Sequence, residues 1–166
     1  MSLKERIKQN LNESLKKKEE VSTSVLRMLL AAILNKEKER RLKINKEEPD
    51  LGEEDLEEKS KLCDEEIIEV VSSEIKKRKE SILEFEKGER KDLIDKEKKE
   101  IEILQKYLPE QISEEEIRRL VKESIDKVGA AGPKDMGKVM GELMPKVKGR
   151  SDISLVSKIV KESLIA

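Results

Sequence analysis

The chain has 166 residues, of which 45% are charged and 35% are hydrophobic, and its formal net charge is −1. It contains no histidine and one cysteine. The composition therefore excludes an imidazole general base, a histidine metal site, a Ser/His or Cys/His nucleophile pair and an internal disulfide. Alternating Glu, Lys, Leu and Ile is typical of solvated amphipathic helices, so we predict an all-α protein.

Hydrophobic runs in the chain are short. None approaches the ~20 apolar residues that a membrane-spanning helix needs. The amino terminus, MSLKERIKQNL, carries charges within its apolar stripe. We therefore expect no membrane span and no signal peptide, and a cytoplasmic location.

The first sixty residues predict two helices and a connection. Apolar residues that recur every four positions from Leu3 to Leu15 predict a first short helix. The run VLRMLLAAILN predicts a second helix at the centre of the core, capped by Ser22 or Thr23. The charged segment 37–62, which proline and glycine interrupt, is predicted to be a mobile connection.

A long helical hairpin is predicted next. One helix begins near Cys63 or Asp64, where acidic residues suit the helix dipole, and it ends at Gly88. Its partner runs from about Lys91 to Leu108, because the residue before a proline is disfavoured in the α region.

The carboxyl-terminal part predicts a separate small bundle. The sequence SEEE from Ser113 to Glu116 is a capping box, so a new element begins there. Three short apolar stripes follow it, and Ser151 or Asp152 is predicted to cap the last helix. We therefore predict two domains, 1–108 as a helical hairpin or bundle and 109–166 as a three-helix domain.

Positive charge concentrates near the end of the chain. From Lys127 to Ala166 there are eight Lys or Arg residues and four Asp or Glu residues, a net of +4, whereas the rest carries −5. The candidate nucleic-acid-binding residues are the cations beside the glycines of this block: Lys138, Lys146, Lys148 and Arg150. A tight turn at Gly149 with exposed backbone N–H groups would suit phosphate oxygens. The alternative is a glycine that ends a helix, followed by a solvated turn.

Other chemical motifs are weak. GPKDMGKV approaches the phosphate-binding loop G-x-x-x-x-G-K-[ST], but Val139 fills the Ser/Thr position and the preceding sequence is helical. Cys63 is crowded by carboxylates and is interpreted as a capping or packing residue. We predict no catalytic residue, no metal ligand and no cofactor. With one phenylalanine and one tyrosine, stacking on single-stranded bases is nearly excluded, so an RNA partner would be folded.

Two stretches carry a resemblance to a known family. The segment LIDKEKKEIEILQKYLPEQISEEEI, followed by MGKVMGELMPKVKGRSDISLVSKIVKESL, resembles the YqeY family. The part from Ile112 onward is similar to the tail domain of the B subunit of the Asp/Glu-tRNA amidotransferase. That tail is a helical, tRNA-contacting appendage, and glutamine hydrolysis and amide transfer take place elsewhere in the enzyme. The four candidate cations fall within the tail-like motif.

The resemblance implies three functional hypotheses. The first is a noncatalytic module that binds tRNA or associates with amidotransferase subunits. The second is a carbon-nitrogen ligase with glutamine as amido-N-donor, although the chain lacks the Ser-Lys amidase signature of the glutaminase subunit. The third is a helical adaptor that docks a protein along the hairpin from Cys63 to Leu108. Uncovered apolar residues on that hairpin would support the adaptor.

Overall fold

The computed structural model describes residues 1–165 of the chain. Over this range the secondary structure consists of α-helices and one short 3₁₀ turn, without a strand, which confirms the all-α prediction. The chain divides into two compact units, Met1–Tyr107 and a second that begins at Leu108. The boundary that the sequence predicted lies one residue later.

Unit 1 contains five helices, and α2 packs against the other four. The bounds are α1 (Leu3–Lys17), α2 (Glu20–Glu47), α3 (Glu53–Ser60), α4 (Asp64–Lys87) and α5 (Lys91–Gln105). Apolar side chains from every helix meet around α2, and the most deeply buried are Ile7, Val25, Leu29, Ile33, Ile67, Val71 and Leu104. The prediction that the second helix forms the centre of the core is therefore confirmed for this unit.

The first two helices are joined by a tight turn. α1 begins with a capping box in which Ser2 and Glu5 each bond the other's backbone N–H. It ends at Lys18 in the left-handed conformation. The predicted cap of α2 is wrong, because α2 begins at Glu20 and Thr23 lies one turn inside it. The Thr23 hydroxyl is buried and hydrogen-bonds the Ser14 hydroxyl at 2.9 Å instead of capping α2.

The charged segment 37–62 is also different from the prediction. It is largely helical, since α2 continues to Glu47 and α3 follows after a short break. The buried Glu37 carboxylate accepts hydrogen bonds from Lys4 Nζ at 2.6 Å and from the Leu62 N–H at 3.2 Å. Specific partners therefore hold the segment 37–62 in place, although its charge density suggested a solvated connection.

The hairpin of α4 and α5 matches the predicted bounds closely. Cys63 is the residue before α4, and Gly88 follows its last turn. Arg78 is buried between the two helices and donates to Glu100 Oε2 at 2.9 Å. Its other donors bond the Glu74 carboxylate and carbonyl at 3.0 and 3.1 Å. A buried ion pair thus joins the two helices of the hairpin.

Unit 2 contains three helices and a 3₁₀ turn. The bounds are α6 (Glu114–Val128), the 3₁₀ turn (Pro133–Asp135), α7 (Met136–Val147) and α8 (Ile153–Ile165). Its core is a single apolar cluster formed by all three helices: Ile117, Val121, Val139, Leu143, Val147, Val156, Ile159 and Val160. This cluster fixes which faces of α6 and α7 remain in solvent.

The ends of these helices follow local rules with two differences. Ser113 Oγ accepts from the Glu116 N–H at 3.2 Å, but the Glu116 carboxylate pairs with Arg119, so only half of the capping box forms. Asp152 caps α8 through a bond from the Ser154 N–H, as predicted. α7 does not stop at Pro145, because the buried Val147 holds one more half-turn against the core.

Candidate functional site

All four candidate cations lie on α7 or directly after its C-terminal end, where Lys148 is the residue that follows the last turn. Lys138 and Lys146 are eight residues apart, with Glu142 midway between them. At about 100° per residue the three span about 80° of the helix surface. The Arg150 guanidinium lies at the C-terminal end of the same helix, with Nη1 donating to the Lys146 carbonyl at 3.3 Å. We call Lys127, Lys138, Lys146 and Arg150 the α7 basic face.

Lys127 joins this face from the last turn of α6, and the sequence had not singled it out. Its Nζ lies 2.6 Å from Glu142 Oε1, and Lys146 Nζ lies 3.4 Å from the same oxygen. The hydrogen bond from Lys127, and then that from Lys146, hold the pKa of Glu142 below its usual value. The only sequence signal was that Lys127 opens the basic block, because its partner lies fifteen residues away.

Lys138 is paired with a carboxylate as well. Its Nζ lies 3.2 Å from Asp135 Oδ1, and its side chain is 72% exposed. Asp135 also accepts the Ala131 N–H, which is the main reason that its pKa is lowered, followed by Lys138. Four cations and two carboxylates leave the α7 basic face with a net charge of +2.

The turn after α7 differs from the expected phosphate cradle. Gly149 adopts a left-handed φ of 72° and is buried, and the Arg150 N–H donates to the Val147 carbonyl at 2.9 Å. The backbone N–H groups of Lys148 and Arg150 are therefore used within the protein, by the Met144 and Val147 carbonyls. Lys148 is exposed on this turn, but it too has a partner in the structure.

The same turn holds the segment that leads into α6. Gln111 Nε2 donates to the Gly149 carbonyl at 2.8 Å, and the Ile112 N–H donates to the Arg150 carbonyl at 3.0 Å. Arg150 Nε reaches the Glu110 carbonyl at 3.4 Å. Arg150 therefore shapes the turn as well as contributing its charge.

The motifs that the sequence gave a structural interpretation behave accordingly. Pro133 begins the 3₁₀ turn, and Lys138 lies within α7 with no strand before it, so the near phosphate loop is a helix start. Cys63 is exposed, and its N–H donates to Glu66 Oε2 at 2.9 Å at the start of α4. Neither is arranged for nucleotide binding or nucleophilic attack.

Nothing in the described part of the chain has the length and hydrophobicity of a membrane-crossing helix.

Comparison with known proteins identifies the family. The model of the Yqey-like protein family matches residues 48–164. The chain is also similar to the altered inheritance of mitochondria protein 41, mitochondrial, of Pyrenophora tritici-repentis (strain Pt-1C-BFP), with 36% identity over 96 residues. That match covers 56% of this chain and 52% of the relative, so the chain spans about half the length of the curated relative. The relative is named as mitochondrial, so the cytoplasmic location stays a prediction. The matched range contains the whole α7 basic face, and the chain belongs to the Yqey-like protein family.

Proposed function

We propose that the chain is a noncatalytic helical protein that binds folded RNA, with tRNA as the expected ligand, through the α7 basic face. The observation that carries the proposal is that Lys138, Lys146 and Arg150 lie along one side and one end of α7. Lys127 joins them from α6 at the Glu142 carboxylate. Cations on one side of a helix can follow successive phosphates along one strand.

Phosphate oxygens of RNA can replace the carboxylates of this face as partners of the lysines. Lys127 and Lys138 are 66% and 72% exposed, and exposed ion pairs contribute only about 0–1 kcal/mol. Each phosphate contact releases condensed counterions from the RNA, which gives binding a steep salt dependence. A net of +2 from four cations predicts weak binding that depends on several contacts at once.

The salt dependence of tRNA binding tests the proposal. We expect Lys138→Gln with Lys146→Gln to reduce the slope of log K against log salt by about two, between about 50 and 200 mM salt. Arg150 is left intact because its bonds shape the turn. The matched control is Lys158→Gln with Lys161→Gln, which removes the same charge from α8. The measurement is fluorescence anisotropy of a labelled tRNA transcript.

Four outcomes are informative. A smaller slope in the α7 double variant and an unchanged slope in the α8 control support the proposal. Equal slopes in all three proteins contradict it, as does binding that does not respond to salt. No binding by the wild-type chain also contradicts it.

Association with amidotransferase subunits is the second part of the proposal, and it rests on the resemblance of the carboxyl-terminal segment to their tail domain. Release of glutamate from glutamine by the purified chain, with and without tRNA, separates this from the ligase hypothesis. We expect no release in either condition. Release above a heat-inactivated control would contradict the noncatalytic part of the proposal.

A further inference from the structure

Glu142 places a single carboxylate oxygen between two ammonium groups from different helices. Oε1 lies 2.6 Å from Lys127 Nζ, at the end of α6, and 3.4 Å from Lys146 Nζ, on α7. The Glu142 side chain is 24% exposed, so solvent and ligands reach it from outside the bundle. The two lysines thus form a site for one anionic oxygen, and the oxygen in that site belongs to the protein's own Glu142 side chain.

We infer that Lys127 and Lys146 form a binding site for a phosphodiester oxygen of RNA, and that Glu142 is its intramolecular competitor. This inference rests on the proposed function, and it adds Lys127 as a binding residue and Glu142 as the residue that limits affinity. A phosphate oxygen and a carboxylate oxygen carry comparable charge and accept from the same donors. Binding is then an exchange of one anion for another, with both lysines paired before and after.

The exchange favours polyanions over single phosphates. Glu142 is attached to the same helix as Lys146, so it competes at a high effective concentration. An isolated phosphate ion has no other contact to offset this competition. A phosphodiester chain also contacts Lys138, about two helical turns from Lys146, so its second contact is intramolecular too.

The test is tRNA binding by Glu142→Gln. The substitution keeps the size of the side chain and removes its charge. We expect it to tighten binding by about two- to tenfold, since it breaks two partly exposed ion pairs and leaves both lysines available to phosphate. The matched control is Glu162→Gln, which removes the same charge from an ion pair with Arg118 at 3.8 Å. Arg118 precedes Lys127 by nine residues on α6, about 180° around the helix.

A second comparison separates the effect of the Lys127 and Lys146 site from the effect of net charge on binding. In the Lys127→Gln background, Glu142→Gln should give less than half of its gain, because one of the two phosphate contacts is missing. In the Lys122→Gln background the gain should remain, because Lys122 lies about 140° around α6 from Lys127.

The outcomes distinguish the two proposals. Tighter binding by Glu142→Gln, but not by Glu162→Gln, with the gain reduced in the Lys127→Gln background, supports the inference. Equal tightening by both glutamine variants, or no change in either while the wild-type chain binds, overturns the inference and leaves the proposed function standing. No binding by the wild-type chain contradicts the proposed function, and the inference with it, whatever Glu142→Gln does. No binding by any variant overturns both.

Discussion

The buried cation Arg78 offers the sharpest test of what holds unit 1 together. The Arg78 and Glu100 side chains are 6% and 8% exposed, and their charged groups are 2.9 Å apart. Replacing Arg78 with Met keeps most of the volume and removes the charge. The Glu100 carboxylate then remains buried without its partner, beside Glu97, whose pKa is already raised by burial and by Glu100.

The expected cost follows from this geometry. Removing one partner of a buried ion pair typically costs about 3–5 kcal/mol, because the other charge stays desolvated. Glu74 loses Arg78 as well, but it keeps Lys77 at 2.7 Å, so most of the cost comes from Glu100. We expect Arg78→Met to lower the free energy of unfolding by about 3 kcal/mol or more. This is a large part of the total of about 5–15 kcal/mol that proteins ordinarily have.

Replacing both partners gives the opposite expectation. Arg78→Met with Glu100→Leu leaves no buried charge at this contact, and such replacements are often neutral or stabilising. The double variant should therefore recover most of the stability that Arg78→Met loses. This non-additivity is the signature of a desolvated pair rather than of lost packing.

Urea unfolding followed by tyrosine fluorescence measures the effect in unit 1. The chain has one tyrosine, Tyr107, and no tryptophan. Tyr107 is 5% exposed, and its hydroxyl accepts a hydrogen bond from Asn10 at 2.7 Å. The control is Lys76→Met, an exposed position on α4, which should stay within about 0.5 kcal/mol of wild type. A loss below 1 kcal/mol in Arg78→Met, or a double variant no more stable than the single one, would refute the reasoning.

Two further predictions concern pH and glycine. The pKa of Glu66 is lowered to about 2, first by the hydrogen bond from Arg40, so this carboxylate stabilises the fold above its ordinary pKa and the contribution is lost as pH falls toward 2. Glu66→Gln should therefore lose less stability than wild type between about pH 5 and pH 2 in urea unfolding. The control that removes the same charge from an exposed position of α4 is Glu86→Gln. Gly129→Ala should destabilise unit 2 by about 1 kcal/mol, because φ is +64° there, whereas Gly137→Ala within α7 should stabilise it by about 0.5–1 kcal/mol. Thermal unfolding followed by far-UV circular dichroism measures the sign of both stability changes. Changes of the same sign would contradict the left-handed backbone at Gly129 or the helical backbone at Gly137.

Most helix ends could be predicted because their causes are local. The starts at Cys63, Ser113 and Asp152 depend on side chains within three residues of the backbone groups that they cap. The cap of α2 was missed because Thr23 has a partner on another helix, Ser14. Charge density misled the prediction for 37–62 in the same way, because a carboxylate such as Glu37 is indistinguishable from a solvated one until its partners are known.

The candidate site shows the same division. The i to i+4 spacing of Lys138, Glu142 and Lys146 places them on one side of a helix, and this was available from the chain alone. Lys127 could not be added by spacing, because it meets Glu142 only where α6 packs against α7. Arg150 was expected to offer its donors to a ligand, but its Nε bonds the Glu110 carbonyl before α6 and its Nη1 bonds the Lys146 carbonyl of α7.

By itself, the sequence determined that this protein is helical, where most helices begin, and that its positive charge gathers near the carboxyl end. Those properties depend on periodicity, caps and composition, which act over a few residues. Only the tertiary structure decided which charges are buried, as at Arg78, and which share a partner, as at Glu142. The energy of a charge depends on its solvent and its neighbours, and folding brings those neighbours from distant parts of the chain.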